Sequence, residues 1–263
     1  MNISEGRDAA LLAELDDACG GDLLDRHTDP HHHRSVFTLV GEEAPRRLAV
    51  AAVAQLDLST HEGAHPRLGV VDVVPFVPLA GSSMGEAVAA RDAFAGWAVA
   101  ELGVPCFLYG PDRSLPEVRR RAWRDLAPDR TPGGGPHVQA DRPHPTAGAT
   151  CVGARDVLVA YNVWLATPDV MLARAIAAEV RGPAVRALGL AVGDRVQVSM
   201  NLIRPDEVGP AQAYDLVAAR APVAGAELVG LLPGRVLDAI PPRRWSELDV
   251  ATSRTLEARL ARR

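Results

Sequence analysis

The order of apolar segments after residue 155 constrains the fold more than any other feature of the chain. Residues 156–164 read as a strand, and Thr167-Pro168 as an N-cap with proline at N1 opening a helix that runs to Val180. Residues 185–190 and 195–203 read as two strands turning at Gly193-Asp194. A helix follows over 210–220 and a last strand over 226–231. That order is β-α-β-β-α-β, the split-βαβ or ferredoxin-like order. A charged helix is expected over the tail, 243–263.

The first half repeats most of it. Leu11, Leu12, Leu15 and Ala18 give one helical face stopped at Gly20-Gly21. A short strand at Leu23-Leu24, a polar loop over 25–34, a strand over 35–40 and a helix over 44–56 come next. The order is α-β-β-α-β, with no strand before the first helix, so an unpaired sheet edge and a strand encoded upstream of Met1 are expected. Beyond it, Ser83 and Glu86 form a capping-box pattern opening a helix with Met84, Val88, Ala95, Ala98 and Leu102 on one side. A strand over 105–109 and a basic amphipathic helix over 115–126 follow. The expected class is α+β: two tandem ferredoxin-like subdomains, 1–147 and 148–263, with facing sheets. Residues 127–148, rich in Pro, Gly, His and Asp, are too long for an idle connection and read as a linker or binding loop.

Within the first half, after the helix over 44–56, lies a polar turn, His61-Glu62-Gly63-Ala64-His65-Pro66-Arg67-Leu68-Gly69, feeding the apolar run 70–78, the last strand of that order. A run of that kind is expected to be buried on both faces and so to fix its own start. Pro66 restrains His65 to extended geometry, and Gly63 and Gly69 permit tight bends beside it. Spacing alone leaves equal room for a surface turn with idle histidines. Asp72 is the lone carboxylate in the apolar run. It is expected either to orient His65 or Arg67 or to sit in a structural ion pair.

Composition removes several function classes. The net charge of −5 argues against non-specific nucleic-acid binding, and the run Arg119-Arg120-Arg121 reads as one solvated helix face. All 28 basic residues are arginine, which excludes a lysine Schiff base or phosphate-loop lysine within this chain and leaves guanidinium forks or backbone amides for anions. Cys19, Cys106 and Cys151 read as buried free thiols of a cytoplasmic protein. No apolar run approaches a membrane span, and no signal-peptide pattern precedes the first helix, so no membrane partner is expected.

Blocks spread over nearly the whole chain resemble the formiminotransferase domain family. They are Asn2-Ile3-Ser4-Glu5-Gly6, Arg34-Ser35-Val36-Phe37-Thr38-Leu39-Val40-Gly41, His65-Pro66-Arg67-Leu68-Gly69 and Val73-Val74-Pro75-Phe76-Val77-Pro78. Leu108-Tyr109-Gly110, Gly148-Ala149-Thr150-Cys151-Val152-Gly153-Ala154-Arg155, Val198-Ser199-Met200-Asn201-Leu202 and Leu228-Val229-Gly230-Leu231 continue it in family order. The resemblance implies a folate-dependent glutamate formimidoyltransferase with tetrahydrofolate as co-substrate, no metal, a homodimeric assembly and small-molecule partners only. It gives His65 the role of general acid and base and places His27 and Asp25 in a second catalytic segment. His144, Pro145, Ala147 and Gly148 fall in the stretch that takes folate. This chain departs from the vertebrate pattern at Ala64 (acidic there), at His27 (aspartate there), in the loop His31-His32-His33-Arg34, and at Ala147 (tryptophan there).

Formimidoyl transfer is amine exchange at an amidine carbon, so the attacking nitrogen loses a proton and the leaving nitrogen gains one. A histidine titrating near neutrality can do both in turn. Arg34, Arg67 and Arg155 are candidates for the carboxylates of glutamate and of the folate tail. Trp123, Trp164 and Trp245 sit in apolar patterns and read as packing residues. The histidines at 27, 31–33, 61 and 65, with Asp29, admit a metal-hydrolase reading. Consecutive loop histidines point in different directions and make poor zinc ligands. A related one-carbon transferase, or a non-catalytic folate- or partner-binding member of the family, remains open.

Overall fold

The computed structural model describes residues 1–63, 66–132 and 142–263 and divides the chain into two compact units, Met1–Asp156 and Val157–Arg263. The subdomain boundary expected at 147/148 therefore falls later. The reason is pairing: Thr150–Ala154 is a strand of the first sheet.

In the first unit the elements are β1 (Asn2–Ile3), α1 (Ala9–Cys19), β2 (Leu23–Asp29), β3 (Arg34–Leu39), α2 (Glu43–Gln55) and β4 (Val71–Phe76). They are followed by α3 (Met84–Leu102), β5 (Cys106–Tyr109), α4 (Leu115–Arg121) and β6 (Thr150–Ala154). The six-stranded sheet has the order β2-β3-β1-β4-β6-β5. Its first four strands are the ferredoxin-like sheet, and β6 and β5 extend it in parallel beyond β4. A strand precedes α1 where none was expected from the sequence. Asn2 and Ile3 form a two-residue strand between β3 and β4, too short to show as a periodic pattern. Ile3 is fully buried, and the Met1 amine donates to Phe37 O at 2.6 Å.

The apolar run behaves as its composition demands. Val71, Asp72, Val73 and Val74 are all buried because both faces of β4 are covered. Helices α1, α2 and α3 pack with Val74, Val152 and Phe37 on one side. Val118 of α4 packs with Val73, Cys151 and Phe107 on the other. Ser83 and Glu86 close the expected capping box of α3. Two local readings change. Strand β2 runs to Asp29, so Asp25 and His27 lie in a paired strand opposite Thr38 and Val36 rather than in a loop. Helix α4 stops at Arg121, where Ala122 turns extended and Trp123 takes φ +64°, its ring edge-on to Phe107 at 5.1 Å.

The second unit holds β7 (Val159–Leu165), α5 (Val170–Val180), β8 (Val185–Val192), β9 (Arg195–Leu202), α6 (Pro210–Ala218) and β10 (Val223–Val229). Its sheet order, β10-β7-β9-β8, is antiparallel throughout and ferredoxin-like. Strands β8 and β9 turn at Gly193-Asp194 as expected. The N-cap of α5 is Asp169, not Thr167, and its carboxylate accepts the N–H groups of Met171 and Leu172. Alternate residues of the strands bury Tyr161, Val163, Val198, Met200 and Leu228 beneath α5 and α6. The tail is not one helix: α7 (Gly234–Asp238), short 3-10 turns and α8 (Leu256–Leu260) wrap the unit, with Leu248 and Val250 in its core. Prolines 241 and 242 deny it a continuous helix.

Candidate active site

The site is built where β4 begins. Before it, a 3-10 turn over Leu58–Thr60 leads through His61 and Gly63 to Pro66, Arg67, Leu68 and Gly69. Ala64 and His65 lie outside the described residues, so the geometry is that of their flanks. The stretch 144–149 lies against both of those flanks. Leu58 N–H donates to Thr146 O at 2.7 Å, Val70 N–H to Ala147 O at 3.0 Å, and Ala149 N–H to Leu68 O at 2.9 Å. Gly69 and Gly148 face each other in a bridge so close that any side chain would strike backbone. A Cβ on Gly69 would lie 2.3 Å from Ala149 O, and one on Gly148 would lie 2.3 Å from Leu68 O, at φ +72°. The histidine turn and the segment expected to take folate are thus one backbone assembly.

Within that segment, His144 and Gly148 exchange both main-chain hydrogen bonds, at 2.8 and 3.0 Å. The His144 ring closes the turn, its Nδ1 accepting from Ala147 N–H at 2.9 Å. Pro145 is exposed, and Ala147 is buried. Arg155 follows β6, its main-chain N–H donating to Phe76 O and its guanidinium to Asp156 O at 2.8 Å. Burial pushes the neighbouring Tyr109 hydroxyl up to about 12, and Arg155 beside it pulls the other way.

Asp72 is fully buried, and its described partners are two arginines and one amide. Its Oδ2 takes Arg34 Nη1 at 2.5 Å and also Arg119 Nη2. Its Oδ1 accepts from Leu68 N–H at 2.9 Å. Burial would raise the carboxyl's pKa, but Arg34, then Arg119, then the Leu68 amide outweigh it and leave the group below its usual value. Burial lowers Arg34's guanidinium, and Asp72 offsets part of that. Arg34 is therefore committed to Asp72. Arg119, read from sequence as part of a solvated face, reaches inward and also donates to Pro66 O at 2.9 Å, while Arg120 is exposed. A helix wheel could not show this, since the partner lies 47 positions away. Arg67 turns back on its own loop, donating to Gly63 O at 3.1 Å and His61 O at 2.5 Å.

A second cluster went unread as such. Glu5, from the Asn2–Gly6 block, accepts the main-chain N–H groups of Gly6, Arg7 and Asp8. His33, at φ +51°, accepts from Gly6 N–H through Nδ1 and stacks on His61 at 4.2 Å. His61 donates Nε2–H to His33 O at 3.0 Å, leaving Nδ1 buried without a hydrogen-bond partner among the described residues. Burial first lowers both imidazole pKa values. Glu5 opposes this at His33, where His61, Arg7 and Arg67 reinforce it. At His61 the His33 carbonyl opposes it and Arg67 reinforces it. Among the described residues no group of three or more His, Cys, Asp or Glu side chains could hold a metal ion.

The lowered values carry a sign. An unfolded histidine takes up its proton near pH 6.5, whereas these two resist it until lower pH. Stability of the first unit is thus full above about pH 6.5 and declines as pH falls toward the folded values. His61→Asn, which removes one ring of the stack, should flatten that acid limb in thermal melts taken from pH 8 to pH 5. Identical slopes for the two proteins would remove the pair from the pH response.

The family model for the formiminotransferase domain, N-terminal subdomain, matches residues 1–155. The chain belongs to the formiminotransferase domain family. Among proteins similar to this member, the glutamate formimidoyltransferase of Streptococcus pyogenes serotype M1 is 36% identical, over 90% of this chain and 88% of its own length. That of Thermoplasma acidophilum is 34% identical over the same shares. The formimidoyltransferase-cyclodeaminase of Sus scrofa is 32% identical over 90% of this chain, which spans 50% of that longer protein. This formiminotransferase-family chain is an enzyme, a transferase. No helix among its described residues is long and apolar enough to cross a membrane.

Proposed function

We propose that the protein transfers a formimidoyl group between N-formimidoyl-L-glutamate and tetrahydrofolate, with His65 as the general acid and base. The observation that supports this best is the backbone union of the His65 turn with the 144–149 segment, at Leu58–Thr146, Val70–Ala147 and Leu68–Ala149. It joins both flanks of position 65 to the stretch that the resemblance assigns to folate. In this reading the folate amine attacks the amidine carbon as His65 takes its proton. The tetrahedral intermediate then collapses as the same imidazole returns the proton to the departing glutamate nitrogen. Arg67 and Arg155 stand for the carboxylates of the two substrates, and His27 for the second catalytic segment. Arg34, already paired with Asp72, supports the site from beneath.

The same reading makes the enzyme cytoplasmic, supported by three buried free thiols, and homodimeric, supported by the terminal strands β2, β8 and β10 of its two sheets. The test is direct. Purified protein is incubated with N-formimidoyl-L-glutamate with and without tetrahydrofolate, and free glutamate is measured. Release that requires the folate supports the proposal. Folate binding without release would make the chain a binding protein, and absence of both would end the reading.

A further inference from the structure

We propose that Arg119 and Asp72 form a clamp that positions the His65 turn for proton transfer, an inference that rests on the role given to His65 above. Among the described residues, 61–63 and 66–70 belong to no helix or strand before Val71. Side chains hold the main-chain groups around positions 64 and 65 instead. On one flank Arg67 holds His61 O and Gly63 O. On the other flank Arg119 Nη1 holds Pro66 O at 2.9 Å, and Asp72 Oδ1 holds Leu68 N–H at 2.9 Å. Arg119 Nη2 joins the two by bonding Asp72 Oδ2.

Charge balance separates this role from that of an ordinary ion pair. Asp72 is neutralised by Arg34 alone, at 2.5 Å and buried. A second cation on the same oxygen lowers the carboxyl's pKa further, but formal charge balance does not require it. What Arg119 alone supplies is the fork that spans Asp72 and the Pro66 carbonyl. A guanidinium can bridge two acceptors in fixed geometry, whereas an ammonium is a single point of charge. Helix α4 presents that fork rigidly. Ser114 caps it, Pro116 lies in its first turn and Val118 is fully buried beside Arg119. Arg119 is therefore a positioning residue, set one position beyond His65 in the turn.

The test uses Arg119→Gln and Arg119→Lys in the full chain, assayed with N-formimidoyl-L-glutamate and tetrahydrofolate beside His65→Ala. Small misplacement of a reacting group costs up to about 100-fold in rate, so Arg119→Gln should lose ~10- to 100-fold in kcat. Both KM values and the thermal midpoint should stay near those of the parent, because Asp72 keeps Arg34. Arg119→Lys should be impaired as well, since it restores charge but not the span. Unchanged kcat in Arg119→Gln, or recovery by lysine, overturns the clamp. So does a kcat loss that comes only with raised KM and a lowered midpoint. Should the glutamine variant not fold, the lysine variant decides by the same criteria. Full activity in His65→Ala would instead overturn the reading beneath, whatever Arg119 does.

Discussion

Asp72→Asn should destabilise the first unit by about 3–5 kcal/mol, the range for removing one partner from a buried charge pair. The substitution keeps the shape and leaves an acceptor for Leu68 N–H, so packing is not the cause. What it removes is the carboxylate that joins Arg34 and Arg119, leaving two guanidinium groups converging where Asp72 now takes both. For a unit of this size the loss lowers the thermal midpoint by on the order of 10 °C. A double-mutant cycle sharpens the expectation. Arg119→Gln should be close to neutral for stability in the parent, where Asp72 keeps Arg34; once Asp72 is neutral the same change relieves repulsion, so it should stabilise in that background. Differential scanning calorimetry of the four proteins gives both numbers. Strict additivity would mean that the three side chains do not act as a charge network.

The element order of the second unit was readable because Thr167-Pro168, Gly193-Asp194 and Pro210 punctuate its apolar runs at or near the ends of elements. The first unit was harder at three places, and each has a physical reason. Strand β1 has two residues, which no periodicity can register, and only its pairing to β3 and β4 reveals it. Strand β2 is polar from Asp25 to Asp29, because Thr28, opposite Ser35, joins it hydroxyl to hydroxyl rather than burying an apolar side chain. Arg119 looks like one of three equivalent surface charges until the fold brings Asp72 beneath it. Asp72 itself was legible as an anomaly, a carboxylate in an apolar strand, though its partners were not. The stacked pair His33 and His61 is of the same kind: two residues 28 positions apart that only the hairpin β2–β3 and the turn after α2 bring together. Several family blocks meet in space, Ser4 on Gly69, Ser35 on Glu5 and Gly69 on Gly148, a contact that linear order does not show.

His65→Ala should leave the fold and folate affinity intact while lowering kcat by about 100- to 10,000-fold, the usual contribution of general acid–base catalysis. The described flanks of the turn are held by other groups. Arg67 holds His61 O and Gly63 O, Arg119 holds Pro66 O, Asp72 holds Leu68 N–H, and Gly69 is locked against Gly148. Pro66 restricts the residue before it whatever side chain that residue carries. The proposed reaction, by contrast, needs one proton removed from the attacking nitrogen and one delivered to the leaving nitrogen, and an alanine can do neither. The variant should therefore bind tetrahydrofolate as the parent does, melt at nearly the parent temperature and recover part of its turnover when free imidazole is added to the assay. That recovery is the discriminating measurement, because a residue that merely shaped the site would not be replaced by a diffusible base. Undiminished turnover in the alanine variant would take His65 out of the mechanism. Lost folate binding would move it to recognition, and the proton would then have to travel through another group of the same turn.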